Sequence, residues 1–189
     1  MQETNSRITS DKHCPLRYKK RKEGFEPWAG SATRTCWSRR AGERRQSLLN
    51  KELKARFVNV RVEKSNAIML QGMEGSTLGV WVAHGEGRCF WPDDAVKEEA
   101  MRQNCVALKY VDDDNNVTME YPMNPNGSEG AVVGLTSPYG HLCMMPHPER
   151  LFMKYQLPYW AEEWESPVSP WLKVFQNARE WCERQWCVC

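Results

Sequence analysis

The segment Phe57-Val-Asn-Val-Arg-Val62 alternates apolar and polar side chains, the pattern of a strand with one face buried. Leu78-Gly-Val-Trp-Val-Ala83 is a short apolar run of the length and composition of a buried strand, and Ala67-Ile-Met-Leu-Gln71 reads the same way. Met73-Glu-Gly-Ser-Thr77 supplies a turn between these two runs. Further along, Asp93–Gln103 suits a helix with acidic residues in its first turn. Val106–Val111 suits a strand, and Asp112–Asn116 a polar hairpin turn. Ala131–Thr136 and Leu142–Met145 are the remaining strand candidates. Ser169-Pro170 is a helix start, because serine caps well and proline fits the first helical position. Trp171, Leu172, Phe175, Ala178, Trp181 and Cys182 follow at helical spacing and predict a face packed on a sheet. The class is α/β.

Upstream of this region the chain changes character. Residues 1–56 hold 15 Lys/Arg against 6 Asp/Glu, while residues 57–189 hold 11 against 18, so a formal charge of +2 hides two opposite halves. The basic part has no sustained periodicity; only Gln46–Phe57 suits a short helix. We expect two regions: residues 1–55, basic and disordered or unrelated to the rest, and residues 56–189, an α/β unit. No apolar run approaches the roughly 18 residues that a membrane span needs. The polar start, Met1–Asp11, lacks the apolar middle of a secretory signal. The eight cysteines are scattered without a Cys-x-x-Cys pair, which argues against a zinc site and for free thiols in a reducing cytoplasm. The basic arm is expected to be solvated rather than bound to nucleic acid.

Three stretches can carry chemistry. In Pro146-His-Pro-Glu-Arg150 each proline pushes the preceding residue toward extended geometry. His147 and Glu149 then project to one side. An imidazole beside the carboxylate that orients it is the latter half of a nucleophile–base–orienter triad. The plain alternative is a structural histidine with a solvated glutamate. In His84-Gly-Glu-Gly-Arg88 two glycines permit a tight turn and close backbone approach to a ligand. An ordinary glycine-rich loop is the competing reading. Tyr121-Pro-Met-Asn-Pro-Asn-Gly-Ser128 reads as consecutive ordered turns.

Taken together and in order, His84-Gly-Glu-Gly87, Tyr121–Ser128 and Met144-Met-Pro-His-Pro-Glu-Arg150 resemble the glutamine amidotransferase domain of the phosphoribosylformylglycinamidine synthases, and Ser169–Trp181 resembles their final helix. The resemblance runs from about Arg56 to Trp181. It implies a partial flavodoxin-like class I (triad) amidotransferase domain behind an irregular N-terminal segment. It also implies a carbon–nitrogen ligase of purine (IMP) biosynthesis that takes its amide nitrogen from glutamine. In that chemistry a cysteine thiolate attacks the glutamine amide, a histidine handles the protons, a glutamate orients it, and backbone N–H groups hold the oxyanion. Carried over by motif, His147 is the acid/base and Glu149 the orienter. His84, Gly85 and Glu86 fall on a family motif and are candidates for substrate binding. The implied partners are glutamine and the synthetase domains that act on formylglycinamide ribonucleotide. ATP and magnesium belong to those other domains, so no cofactor is expected here.

The family's nucleophile lies in Gly-Val-Cys-Asn-Gly-Cys-Gln, a strand-to-helix turn expected upstream of residue 57. Cys14 and Cys36 lack the flanking glycines. Cys89 follows Gly87 but has Trp91 after it and lies beyond the His84 motif. The usual Gly-Arg before the last strand reads Gly140-His141. We therefore expect a catalytically incomplete amidotransferase domain of low solubility, or alternatively a noncatalytic fragment that docks on a complete synthase.

Overall fold

The computed structural model describes residues 54–84 and 87–186. The basic segment 1–53, with Cys14 and Cys36, lies outside the described residues, as do Gly85, Glu86, Cys187 and Cys189.

Five strands form one sheet: β1 (Lys54–Val62), β2 (Thr77–His84), β3 (Val106–Val111), β4 (Val132–Thr136) and β5 (Leu142–Met144), in the order β2-β1-β3-β4-β5. All four ladders are antiparallel. A flavodoxin-like domain has a parallel sheet, so this corrects the flavodoxin-like expectation. Among the described residues, only the connection from β2 to β3 carries an α-helix, α1 (Asp94–Arg102), and it steps over β1. β2 and β3 therefore run parallel to each other without touching, which is what a helical crossover requires. The other connections are turns and loops, which join antiparallel neighbours.

β1 begins at Lys54, three residues before the predicted start, so residues 54–57 are strand and not the end of a helix. Its alternation is met: Val58, Val60 and Val62 are buried while Phe57, Asn59 and Arg61 are half-buried. Ala67–Gln71 is not a strand but a 3-10 turn at Ile68–Leu70. Its apolar side chains fill the core, yet Gln71 N–H closes back on Ile68 O, a local bond that no ladder shares. The turn before β2 forms as predicted, with Gly75 at φ +81° and its N–H on Val62 O.

α1 starts at Asp93, whose Oδ1 accepts from Val96 N–H at 2.8 Å. The Asp112 carboxylate accepts from Asp114 N–H and Asn116 N–H and builds the turn after β3. Ser169 Oγ accepts from Trp171 N–H at 3.2 Å, and after Pro170 the chain enters α2 (Leu172–Trp186). The buried row on this helix is Trp171, Val174 and Asn177, whereas Phe175, Trp181 and Cys182 are exposed. The predicted face is thus rotated. Asn177 holds the helix to the 67–71 turn by donating to Met69 O (3.0 Å) and Gln71 O (2.8 Å).

The main core joins Val58, Val60, Val80, Val82, Leu108 and Tyr110 of the sheet with Leu70, Leu151, Trp171 and Val174. A smaller cluster seats Ala100 of α1 against Cys89, Trp91, Cys105, Val132 and Leu135.

Candidate functional site

His147 and Glu149 meet. His147 Nδ1 lies 2.6 Å from Glu149 Oε1. An ionised carboxylate only accepts, so Nδ1 carries the proton and Nε2 is left with the basic lone pair. The two are not on a common extended segment, however. Glu149 sits in a 3-10 turn, Pro148–Arg150, that starts directly after His147. Pro148 occupies its first position, where its fixed φ is already suitable. His147, at φ −112° and ψ 80°, stays outside the helical region, as a residue before proline should. Its N–H bonds to Trp81 O at 3.1 Å and fastens the segment to β2.

A groove of about 400 Å³ runs past this pair, with Met69, Met144, Cys143, Pro146, Val174 and Phe175 among its walls. It gives the imidazole–carboxylate pair an apolar flank beside open solvent. A charge-assisted hydrogen bond is stronger where one side excludes water.

His84 closes β2 as the third member of the inward row Val80, Val82, His84, which explains its burial. Burial, and then the charge of neighbouring His147, push its pKa below the ordinary histidine value. Asn126 Nδ2 stands 3.4 Å from His84 Nε2, 3.4 Å from Gly87 O and 3.3 Å from Tyr110 Oη. Tyr110 reaches the cluster from β3, where it pairs across from Val60.

The 121–128 turns hold this arrangement. Asn124 Oδ1 accepts from Ser128 N–H, and its Nδ2 donates to Ser128 O. Ser128 Oγ then accepts from Cys89 N–H at 3.1 Å, clamping the loop after β2. The Tyr121–Pro122 peptide is cis.

The structure thus brings His147, Glu149 and His84 into one region; Gly85 and Glu86 lie outside the described residues. Sequence reasoning passed over Asn126 and Tyr110. Asn126 sat in a Pro-Asn-Gly turn that explained it without its side chain, and Tyr110 looked like an ordinary strand aromatic. Among the described cysteines, Cys89 and Cys105 are buried, Cys143 lines the groove and Cys182 is exposed. Desolvation, with Glu99 adding to it, pushes the Cys105 thiol up to about 11, which makes it inert as a nucleophile. No described helix is long and apolar enough to cross a membrane.

Comparison with known proteins adds the following. The profile of a family described as "CobB/CobQ-like glutamine amidotransferase domain" matches residues 49–182. The chain is 52% identical over 132 residues to an Arabidopsis thaliana protein named "Probable phosphoribosylformylglycinamidine synthase, chloroplastic/mitochondrial", covering 68% of this chain and 9% of that one. It is 43% identical over 140 residues to the phosphoribosylformylglycinamidine synthase of Homo sapiens, covering 70% and 10%. The chain therefore spans about a tenth of the length of the curated relatives it matches. Among solved structures, that of PurLQS from Thermotoga maritima aligns at a TM-score of 0.47 and 24% identity, covering 71% of this chain and 51% of that one.

Proposed function

Because the chain belongs to the CobB/CobQ-like glutamine amidotransferase domain family, we propose that residues 56–189 are the acid/base half of a glutaminase site. The parent activity is that of a phosphoribosylformylglycinamidine synthase: glutamine- and ATP-dependent amidation of formylglycinamide ribonucleotide in purine biosynthesis. The contact that carries this reading is His147 Nδ1 to Glu149 Oε1 at 2.6 Å. Glu149 fixes the ring. His147 Nε2 takes the proton of an attacking thiol and later returns one to the departing nitrogen, so no proton is lost over the cycle. In a complete family domain, sequence preceding β1 would supply the nucleophile turn. No cysteine of this sequence stands in Gly-Val-Cys-Asn-Gly-Cys-Gln, so the chain by itself is catalytically incomplete. Residues 1–48, upstream of the family match at 49–182, are then not the family's own sequence. ATP, magnesium and the ribonucleotide belong to partner domains. The compartment is a reducing one, the cytoplasm or an organelle interior.

Complementation tests this. The full chain is mixed with the upstream half of a relative's amidotransferase domain bearing the cysteine turn, and glutamate release from glutamine is measured. The chain alone gives none, the mixture gives turnover, and His147→Ala lowers it by about 10²–10⁴-fold. Turnover that is indifferent to His147→Ala, with each half inactive alone, overturns the assignment.

A noncatalytic docking role is the second reading, favoured by the exposure of Phe175 and Trp181 on α2. Stable co-purification with a complete synthase, with inhibition of its glutaminase, distinguishes it.

A further inference from the structure

A second groove, of about 250 Å³, shares no wall residue with the one beside His147. Phe57, Tyr159, Trp160, Trp164 and Trp171 line it, with Asn59 and Thr77. Bonds from Lys154 N–H to Pro167 O and from Ser169 N–H to Phe152 O pinch the loop that carries Tyr159, Trp160 and Trp164. Phe57 meets Tyr159 edge to face, with ring centroids 5.9 Å apart. Lys154 Nζ lies 5.2 Å from the Trp160 ring centroid, so the loop already seats one cation on an aromatic face. Tyr159 and Trp160 remain 67% and 45% exposed.

Carboxylates rim this aromatic surface. Glu162, Glu163 and Glu165 are exposed and form no ion pair among the described residues. Asn59 Nδ2 donates to Asp113 Oδ1 at 3.3 Å, and Thr77 Oγ1 donates to Asn115 Oδ1 at 2.6 Å. These bonds bring the exposed Asp113 and Asp114 to a further part of the rim. The neighbouring cations are already engaged, Arg61 with Glu63 at 2.9 Å and Lys154 with Trp164 O.

Aromatic faces beside unpaired carboxylates suit a cationic chain, whose charged heads are drawn to both while its alkyl stems pack on the rings. A second copy of the same face would set like charges against each other. A densely cationic stretch is present in this chain. Arg17-Tyr-Lys-Lys-Arg-Lys22 carries a cation at every position but Tyr18. Residues 23–53 join it to β1, whose Phe57 is part of the groove wall. At up to roughly 3.3–3.6 Å per residue they allow the stretch to reach the groove. Attachment to the same chain gives it an effective concentration on the order of mM.

We propose that the aromatic groove is a docking site for the basic stretch Arg17–Lys22 of the same chain, with its cationic side chains on Tyr159 and Trp160 and against Glu162, Glu163 and Glu165. The test is carbodiimide coupling of the full chain, which joins a lysine to a carboxylate only where the two touch, read by peptide mass spectrometry. An equal mixture of ¹⁵N-labelled and unlabelled chains separates couplings within a chain from those between chains. Within-chain couplings of Lys19, Lys20 or Lys22 to Glu162, Glu163 or Glu165 are expected. Their yield should fall about tenfold or more between 0.1 M and 1 M salt, as the screening length shrinks from about 10 Å to about 3 Å. Tyr159→Ala with Trp160→Ala should lower it at low salt by about tenfold. Excess synthetic peptide of residues 15–24 should do the same to the wild-type chain, so the outcome does not depend on how a variant folds. Four results overturn the proposal: couplings spread evenly over the exposed carboxylates; couplings between chains only, which make another copy the occupant; a yield indifferent to the double substitution, which reduces the contact to charge attraction; or no competition by the peptide.

Discussion

A methyl group added at Gly87 would stand 1.9 Å from Cε1 and 2.1 Å from Nδ1 of His84. The ring lies directly against the Gly87 backbone, and only a residue without Cβ admits it there. Gly87→Ala must expel the imidazole or move the loop. We expect a loss of about 1–3 kcal/mol in urea unfolding, with the His84 ring resonances displaced. An unchanged midpoint would mean that the ring does not sit where the structure has it. His84 also sets a pH dependence. Its folded pKa is below its unfolded value of 6.5, so the unfolded chain binds more protons over the interval between them. Its contribution to stability is therefore complete above the unfolded pKa and declines as pH falls from there toward the folded one. His84→Gln should flatten that part of the urea-midpoint profile between about pH 7 and 5. A profile identical to wild type assigns the slope to another group. At this scale the sequence carried the His147–Glu149 pair through proline chemistry and spacing, although the local geometry is a 3-10 turn. The partners of His84 were illegible for a different reason. Asn126 reaches it from 42 residues away and is itself met by Tyr110 from another strand, and no local pattern encodes which side chain a fold brings to a histidine.

The placement of α2 shows the same limit for a whole element. Its cap and its length were readable, but its buried row was not. Counting apolar residues selects Trp171, Leu172, Phe175, Ala178, Trp181 and Cys182; Trp171 is buried as expected, but the helix docks on through Val174 and Asn177 while Phe175, Trp181 and Cys182 stay exposed. The cause is the 67–71 segment. As a 3-10 turn it leaves Met69 O and Gln71 O without ladder partners and free to accept from the helix. Asn177 supplies both bonds with one NH2 group. Apolar composition made the turn look like a strand, and that first misreading concealed the polar residue that seats the helix. Trp171 completes the joint, with its Nε1–H donating to Gly79 O at 2.7 Å. Asn177→Leu keeps the volume and removes the donors. We expect it to cost about 2 kcal/mol in urea unfolding while leaving helical circular dichroism intact at low denaturant. A neutral or stabilising result would show that water, and not Asn177, satisfies those carbonyls.

For the molecule as a whole, the two ends of the sheet differ. The β2 end is covered: the 147–156 segment bonds to it through His147 N–H on Trp81 O and Trp81 Nε1–H on Gln156 O. At the other end the three-residue β5 pairs, among the described strands, with β4 alone. The groove containing His147 runs beside it, and Phe175 and Trp181, 37% and 41% exposed, lie on the adjoining helix. An edge strand next to exposed apolar side chains invites association between chains, and its shortness limits that tendency without removing it. The net charge of +2 offers little electrostatic repulsion to oppose it. Sedimentation of the full chain should therefore show reversible, concentration-dependent growth in apparent mass. Phe175→Glu with Trp181→Glu should return it to a monomer with unchanged helical content, because neither side chain belongs to the buried row of α2. If the wild-type chain stays monomeric across the whole concentration range, the apolar face is too small to act alone. If the double variant associates as strongly as wild type, the contact forms elsewhere, and deletion of residues 1–53 would then show whether the basic segment supplies it.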